Sequence, residues 1–288
     1  PAGDGKSTAA AFDSAREMTR SVGGGLMVSV PLEPVPLEQA AVELAAIMIL
    51  QKDRALLDAD PLVAEELRQM EDDARSHMLR LIERVTTPNE KLRFIANGKE
   101  LKITGAASLR KAVSANCDRL YSFTPLLPNE QVNRRKPSAV IVNARKKLLA
   151  AIFEASGRPE FGFHEAAYQQ ELGAAVLAQY RAIIRNTGLY RDGGGERWGF
   201  AAPKSIKDPG LAAVWQEIRS FFTEASDHPK SFTKLIAALQ APPYGVRAGV
   251  IPILLACATR AFPVVGSMTC DGQYVSDIRP TVIEDLCK

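Results

Sequence analysis

The residues whose types and spacing best match a known chemistry stand at the start of the chain. Positions 1–7 fit the last seven positions of a Walker A loop, which would be complete with one glycine in front of them. In such a loop, backbone amides surround phosphate oxygens, the lysine reaches the outer phosphates and the serine ligates magnesium. The pattern predicts binding of ATP and Mg²⁺ if the motif is completed upstream. The residues of this predicted nucleotide-binding site are Gly3, Gly5, Lys6 and Ser7.

A Walker A loop needs further groups before it can hydrolyse ATP, and the sequence supplies none of them. Magnesium is held in part by a second strand that ends in Asp, and no later apolar strand of this chain ends in Asp or Asp-Glu. There is also no Gly-x-Ser-x-Gly elbow, and no two histidines have the spacing of metal ligands. We therefore expect that this chain is not itself an enzyme and requires no metal or cofactor.

The composition is that of a water-soluble globular protein, which we expect in the cytoplasm. Hydrophobic residues make up 46% and charged residues 24% of the chain, which excludes a disordered or fibrous class. The four cysteines have no short paired spacing, so reduced thiols are expected instead of disulfides or a zinc site. The longest apolar run, 250–257, is far shorter than the roughly 20 residues that cross a bilayer, and no membrane contact is predicted.

A local cluster of positive charge gives the second chemical signal. Six basic residues lie between Glu130 and Glu154 with no acidic residue among them: Arg134, Arg135, Lys136, Arg145, Lys146 and Lys147. Such a run can neutralise backbone phosphates and release counterions, which gives salt-sensitive binding with little base preference. The cluster predicts contact with DNA. The alternative is an exposed basic loop followed by a solvated helix face.

Helices are the main elements that must position these residues. Apolar spacing and N-cap residues predict helices at 8–22, 37–57, 60–85, 108–121, 138–156, 165–186, 209–225, 231–239 and 250–261. A strand is predicted at 26–30, and β-hairpins are predicted around Asn97-Gly98 and Asp271-Gly272. The predicted fold class is mainly α with small β elements: a multi-helix domain with β-hairpins and a winged-helix-like C-terminal part.

Two of the predicted helices are expected to pack on each other. The helix at 37–57 is dense enough in apolar residues to be buried on most sides. Asp60 is the expected N-cap of the next helix, and Pro61 suits its first turn. Together they predict an antiparallel helical hairpin.

The C-terminal part has the order helix, turn, helix, hairpin that is typical of a winged helix. Its second helix, 250–261, has Arg260 as its only charged residue, whereas a helix that reads bases carries several polar side chains. We therefore expect that helix to be buried, and the part to contact proteins or to pack within the chain. Three domains are predicted: a helical domain with a β-hairpin at 1–124, a helical domain with a basic start at 125–230, and a winged-helix-like subdomain at 231–288.

Four stretches of sequence together resemble one protein family. They are PNEQVNRRK at 128–136, NARKKLL at 143–149, TGLY at 187–190 and, most specifically, LQAPPYG at 239–245. The pattern resembles internal and C-terminal regions of very large prokaryotic P-loop ATPases of phage-defence systems, including the big ATPase of BREX-type systems. The resemblance implies a cytoplasmic module that connects an ATPase core to DNA or to other protein subunits of an antiviral defence complex. It assigns no catalytic residue to this chain.

Three functional hypotheses follow from these observations. The leading one is a non-catalytic structural and interaction module of a phage-defence ATPase, which contacts DNA through the basic cluster. The second is an ATP-binding P-loop protein cut within its Walker A loop, and the third is a regulatory winged-helix module that binds only proteins. The chain begins with Pro1 and not with Met, so we expect a segment of a larger protein, which on the resemblance is an ATPase.

Overall fold

Helices dominate the described part of the chain, and the strands found there form three small antiparallel sheets. The computed structural model describes residues 4–22, 25–134, 136–194, 197–262, 268–270, 273–275 and 277–287. The predicted fold class, mainly α with small β elements, is confirmed. The chain divides into two compact units, unit 1 at Pro1–Leu120 and unit 2 at Tyr121–Lys288.

Unit 1 combines one small sheet with helices. Its elements are α1 (Asp4–Ser21), β1 (Met27–Pro31), α2 (Leu37–Leu50), α3 (Arg54–Ala59), α4 (Pro61–Thr86), β2 (Leu92–Ala96), β3 (Lys99–Leu101) and α5 (Ala106–Leu120). The sheet order is β1-β2-β3, with antiparallel pairing throughout. Asn97 and Gly98 join β2 to β3 with φ angles of 54° and 70°, which confirms the tight turn predicted from this dipeptide.

Helix α1 packs on this sheet through a small core. Ala15 of α1 is buried with Val30 of β1 and Ile95 of β2. The buried hydroxyl of Thr19 accepts a hydrogen bond from the backbone amide of Gly98 at 2.9 Å and donates one to the carbonyl oxygen of Ala15 at 2.8 Å. A single side chain thus connects the end of α1 to the hairpin turn.

The predicted helix at 37–57 is wrong in its length. Helix α2 ends at Leu50, and a separate helix α3 begins at Arg54. The carboxylate of Asp53 accepts hydrogen bonds from the amides of the second and third residues of α3, at 3.0 and 3.3 Å. An Asp side chain that binds nearby amides in this way favours a helix start over a helix interior, so Asp53 divides the predicted helix.

Helices α2 and α4 form the predicted helical hairpin. Asp60 caps α4 as expected, because its carboxylate accepts a hydrogen bond from the amide of Leu62 at 2.9 Å. Gln51 follows α2 and donates its side-chain amide to the carbonyl oxygen of Leu67 at 3.1 Å and to the carboxylate of Glu71 at 2.7 Å. The end of α2 is therefore bonded to the first half of α4.

Only one side of α2 is buried, and the prediction of burial on most sides is wrong. Ile47 packs with Leu67 and Ala74 of α4, whereas Val42 and Ile49 are 64% and 68% exposed. The density of apolar residues shows how hydrophobic a helix is. It does not show how many neighbours the chain provides for that helix.

Unit 2 is built from helices around one core. Its helical elements are α6 (Glu130–Asn133), α7 (Ala139–Glu154), a 3₁₀ turn (Pro159–Gly162), α8 (Ala166–Leu172), α9 (Ala174–Tyr180), a π turn (Arg181–Arg185), a 3₁₀ turn (Pro203–Ser205), α10 (Pro209–Glu224), α11 (Phe232–Gln240), α12 (Ile251–Ala261) and α13 (Pro280–Leu286). Its strands form two antiparallel hairpins, β4 (Tyr190–Asp192) with β5 (Trp198–Phe200) and β6 (Met268–Cys270) with β7 (Gln273–Val275).

Several elements of unit 2 differ from the prediction. The predicted helix at 165–186 is divided into α8 and α9 at Gly173, whose φ angle of 87° does not occur within a helix. The hairpin of β4 and β5 and the helix α13 are absent from the prediction. With three residues in each strand and seven in the helix, these elements are too short to show a clear apolar period.

Helix α12 lies at the centre of the unit 2 core. All its residues from Ile251 to Ala258 are buried, and it packs against α7, α10 and α13. Trp215 of α10 is buried nearby in the same core, where its indole N–H donates a hydrogen bond to the carbonyl oxygen of Ala201 at 2.9 Å. The burial of α12 matches the expectation drawn from its near absence of charge.

The segments predicted as separate domains at 125–230 and 231–288 share this hydrophobic core. The order α11, α12, β6, β7 follows the winged-helix layout, while the turn at Asp271-Gly272 lies outside the described residues. Among the described helices, none combines the length and the hydrophobicity that crossing a bilayer requires.

Candidate nucleic-acid interface

Arg134 and Lys136 follow the short helix α6, which is held by contacts on both sides. The side chain of Asn129 caps α6 by accepting a hydrogen bond from the amide of Val132 at 3.1 Å. Val132 is buried, and its carbonyl oxygen would collide with a Cβ atom at Gly249, so a glycine is needed there. Arg134 and Lys136 themselves are exposed. The base of this loop is thus anchored while its two cations face solvent.

Lys146 and Lys147 are exposed on helix α7 because the other side of the helix faces the core. The buried residues of α7 are Ile141, Ala144, Leu148, Leu149, Ala151 and Ile152. This spacing is typical of an amphipathic helix with one apolar face. The helical rise from the first residue of α7 to Lys146 is about 10 Å, so Lys146 and Lys147 lie about two turns into the helix.

Arg145 stands in the same basic run but is engaged inside unit 2. Its guanidinium forms two hydrogen bonds with the carboxylate of Glu284 in α13, Nε to Oε1 at 2.6 Å and Nη2 to Oε2 at 2.8 Å. The two side chains are only 15% and 8% exposed. This bidentate ion pair neutralises Arg145 and joins α13 to α7. Sequence analysis missed it because the two residues are 139 positions apart.

Four residues of the predicted cluster remain as exposed cations. In the part of the chain that the structure describes, no carboxylate lies within ion-pair distance of Arg134, Lys136, Lys146 or Lys147. Of the other two residues of the predicted cluster, Arg145 is paired and Arg135 lies outside the described residues. The structure therefore separates the run into four exposed charges and one charge that is paired within the fold.

The predicted nucleotide site lies at the start of α1. Gly5, Lys6 and Ser7 are in the first turn of that helix, and Gly3 lies outside the described residues. In a P-loop fold the phosphate loop joins a strand of a parallel sheet to a helix. All strand pairs among the described residues are antiparallel, including the pairing of β1, which follows α1. Binding of ATP and Mg²⁺ at this position stays a prediction.

Arg260, the single charged residue of α12, is engaged within unit 2 and does not indicate base recognition. Arg260 donates a hydrogen bond from Nη2 to the carbonyl oxygen of Phe153 at 2.9 Å, and its guanidinium lies 4.5 Å from the centre of the Phe153 ring. Both contacts hold the end of α12 against the end of α7. With Ile251 to Ala258 buried, α12 has too little polar surface to read a groove.

Several nucleophile-type groups of unit 2 are held in their protonated forms. Burial raises the pKa of the Cys257 thiol, and it raises the pKa of Cys287 to about 12 although Arg145 acts in the opposite direction. Burial also raises the pKa of the Tyr180 hydroxyl. A thiol that is protonated at neutral pH is a poor nucleophile. No group of three His, Cys, Asp or Glu side chains in the described ranges could hold a metal ion.

No protein-family model, no curated protein and no solved structure matches this chain. Interpretation of its function therefore depends on the position and chemistry of its own residues.

Proposed function

We propose that this chain is a non-catalytic interaction module whose unit 2 contacts the phosphate backbone of DNA. The residues that would make these contacts are Arg134, Lys136, Lys146 and Lys147. The observation that carries the proposal is that all four are exposed and lack an ion-pair partner among the described residues, while Arg145 in the same run is paired. Among the described residues, the run thus contains one cation used for folding and four that are available to a ligand.

The chemistry of these four residues favours a polyanion as the ligand. Like charges close together in one segment repel each other, and a row of phosphates relieves that repulsion. With four phosphates neutralised, the logarithm of the binding constant is expected to fall with the logarithm of salt concentration with a slope of roughly −3 to −4. Binding of this kind contributes affinity with little sequence preference.

The surroundings of the cluster favour contact with the backbone over contact with the bases. Burial of α12 leaves the winged-helix-like segment without a recognition helix. None of the four cationic positions is next to an aromatic residue in the sequence, so stacking on unpaired bases has no support there. Double-stranded DNA bound through its phosphates is the ligand that fits these features best.

The resemblance to phage-defence ATPases supports a setting for this contact. In that setting, the chain is a cytoplasmic part of a defence complex, where it holds DNA or joins other protein subunits while ATP hydrolysis occurs elsewhere in the assembly. In the complete protein, reversing the four charges is expected to reduce protection against phage without abolishing ATP hydrolysis. Undiminished protection would contradict this role.

The direct test is fluorescence anisotropy of a short labelled duplex titrated with the full chain at several salt concentrations. We expect binding by the wild type that weakens steeply between about 50 and about 200 mM salt. The variant with Arg134, Lys136, Lys146 and Lys147 all changed to Glu is expected to lose this binding. A wild-type chain that does not bind the duplex even at the lowest salt would refute the proposal.

A matched control separates this surface from net charge in general. Four exposed basic residues of unit 1 can be changed to Glu with the same change in net charge: Lys99, Lys102, Arg110 and Lys111. This control variant is expected to keep most of the DNA affinity. If both variants lose affinity equally, the contact is a property of overall charge and not of the cluster in unit 2.

A further inference from the structure

Unit 1 contains a pocket of about 440 Å³ at the end of its first strand. The walls of the pocket come from three places: the end of β1 with the segment that follows it, the last turn of α4, and the loop that leads into β2. Pro31, Val35 and Leu92 form the apolar part of the lining, and Leu92 is buried. This volume lies within the range of pockets that hold small molecules, so the pocket suits a small ligand with an apolar part.

The loop wall of this pocket is held in place by Asn89. The side-chain amide of Asn89 donates a hydrogen bond to the carbonyl oxygen of Thr87 at 2.9 Å, and its side-chain oxygen accepts one from the backbone amide of Lys91 at 2.8 Å. The backbone amide of Leu32, which follows β1, donates a hydrogen bond to the carbonyl oxygen of Lys91 at 2.8 Å. These bonds fix two walls relative to each other. A wall that is already ordered reduces the entropic cost of binding a ligand.

Four charged side chains line the pocket, two acidic and two basic. Nζ of Lys91 lies 3.0 Å from Oε1 of Glu33, so these two charges are already paired with each other. Arg84 and Glu90 are exposed, and neither has an ion-pair partner in the described ranges of the chain. One positive and one negative charge therefore remain available to a ligand.

The two remaining charges and the apolar lining together select a class of ligand. A phosphate or a polyanion is not favoured, because acidic and basic side chains balance each other in the pocket. A molecule with one carboxylate and one ammonium group satisfies both Arg84 and Glu90, since a guanidinium binds carboxylates and a carboxylate accepts hydrogen bonds from an ammonium group. An apolar group on the same molecule removes apolar lining from water. The α-amino acids with apolar side chains combine these three groups.

We infer that this pocket binds a free apolar α-amino acid as its zwitterion. Arg84 binds the carboxylate of the ligand, Glu90 binds its ammonium group, and its side chain packs on Pro31, Val35 and Leu92. Both charged contacts are near solvent and the ligand is small, so the dissociation constant is expected in roughly the millimolar range. The site belongs to unit 1 and is independent of the DNA contact proposed for unit 2.

Titration of the full chain with L-leucine, followed by NMR of the backbone amides, tests this assignment. The amide signals of Asn89, Lys91 and Leu92 are expected to shift and to reach saturation. The absence of saturable shifts at these amides, up to the solubility limit of leucine, would overturn the inference.

Two derivatives of leucine test whether the zwitterion is recognised. N-acetyl-L-leucine lacks the ammonium charge and L-leucine amide lacks the carboxylate, so each is expected to bind about fivefold more weakly than leucine. Binding of either derivative as tight as that of leucine would show that the corresponding charge takes no part, and the zwitterion would be the wrong ligand.

Substitutions connect each charge of the ligand to one side chain of the pocket. Arg84→Gln and Glu90→Gln are each expected to weaken leucine binding about fivefold. Arg84→Gln is also expected to remove the preference for leucine over leucine amide, and Glu90→Gln the preference for leucine over N-acetyl-leucine, because each variant lacks the partner of the altered group. Variants that keep both preferences would contradict the assigned contacts.

Matched controls exclude a general effect of charge. Arg80→Gln and Glu83→Gln also each remove one exposed charge from the C-terminal half of α4, and neither residue lines the pocket. Both controls are expected to bind leucine like the wild type. If they weaken binding as much as Arg84→Gln and Glu90→Gln do, the charge of unit 1 as a whole determines the binding, and the pocket is not the site.

Discussion

Helices α2 and α12 have similarly apolar sequences but different surroundings. In α12, the residues from Ile251 to Ala258 are all buried against α7, α10 and α13. In α2, only Ala40 and Ile47 are buried, and the opposite side faces solvent. Unit 2 thus surrounds α12 with segments that are distant in sequence. Unit 1 supports its most apolar helix mainly through the neighbouring arm of a hairpin.

This difference shows that the hydrophobicity of a helix and its burial are separate properties. An apolar side without a neighbour in the same unit remains exposed to solvent, as on α2. An apolar side that is fully enclosed contributes to folding instead. Substitutions in the two helices are therefore expected to change stability to different degrees.

The largest expected effect comes from removing a side chain from the enclosed helix. Leu254→Ala in α12 is expected to lower the free energy of unfolding of unit 2 by about 2–5 kcal/mol, because Leu254 is fully buried and a cavity would remain. Ile49→Ala in α2 is expected to change the stability of unit 1 by at most about 0.5 kcal/mol. Urea unfolding at low protein concentration measures both. Equal losses in the two variants would show that α2 is more enclosed than the structure indicates.

The next largest effect is expected at the ion pair of Arg145 and Glu284. Arg145→Met leaves the carboxylate of Glu284 nearly buried without a partner, which is expected to cost about 2–4 kcal/mol of stability in unit 2. Urea unfolding monitored by the fluorescence of buried Trp215 in unit 2 provides the measurement.

The double variant of this ion pair distinguishes a buried charge from lost packing. Arg145→Met with Glu284→Leu is expected to regain most of the stability, because two apolar side chains can replace a buried pair. A double variant as unstable as Arg145→Met would show that the attraction between the charges, and not an unpaired carboxylate, determines the loss.

The smallest effect is expected in the helical hairpin formed by α2 and α4 in unit 1. The hydrogen bond from Gln51 and the ion pair with Arg75 lower the pKa of the Glu71 carboxyl from its ordinary value of 4.5. Because the folded protein favours the ionised form of Glu71, this carboxylate adds a small amount to the free energy of unfolding. That contribution is present above pH 4.5 and declines as pH falls through the lowered pKa. Gln51→Ala is expected to bring this pKa back towards 4.5, as measured by NMR titration. An unchanged titration would exclude the Gln51 contact.

The parts of the fold that depend on local chemistry could be predicted from the sequence. Asp60 caps α4 because a carboxylate before a proline-led helix satisfies a free amide. Asn97 and Gly98 form their turn because both tolerate a positive φ angle. Asp53 offered the same kind of signal as Asp60. Its capping role was obscured by the apolar residues on both sides of it.

The parts that depend on distant contacts could not be predicted. Arg145 belongs to a uniformly basic run by sequence, yet only the fold brings Glu284 beside it. The single core of unit 2 arises in the same way, since α7 and α12 meet across about a hundred positions of chain that no local pattern connects. For the candidate DNA interface, the sequence indicates where the cations lie. The fold decides which of them are exposed.

The ion pair between α7 and α13 also has an evolutionary consequence. A change of Arg145 alone or of Glu284 alone would leave a nearly buried charge without its counterpart, so selection is expected to act on the two positions together. In divergent relatives, we expect either both charges or two apolar residues at these positions, while Lys146 and Lys147 vary independently. The loops of the β4–β5 and β6–β7 hairpins, which lie between α7 and α13 in the sequence, take no part in this ion pair. Insertions are therefore expected to accumulate in these loops first.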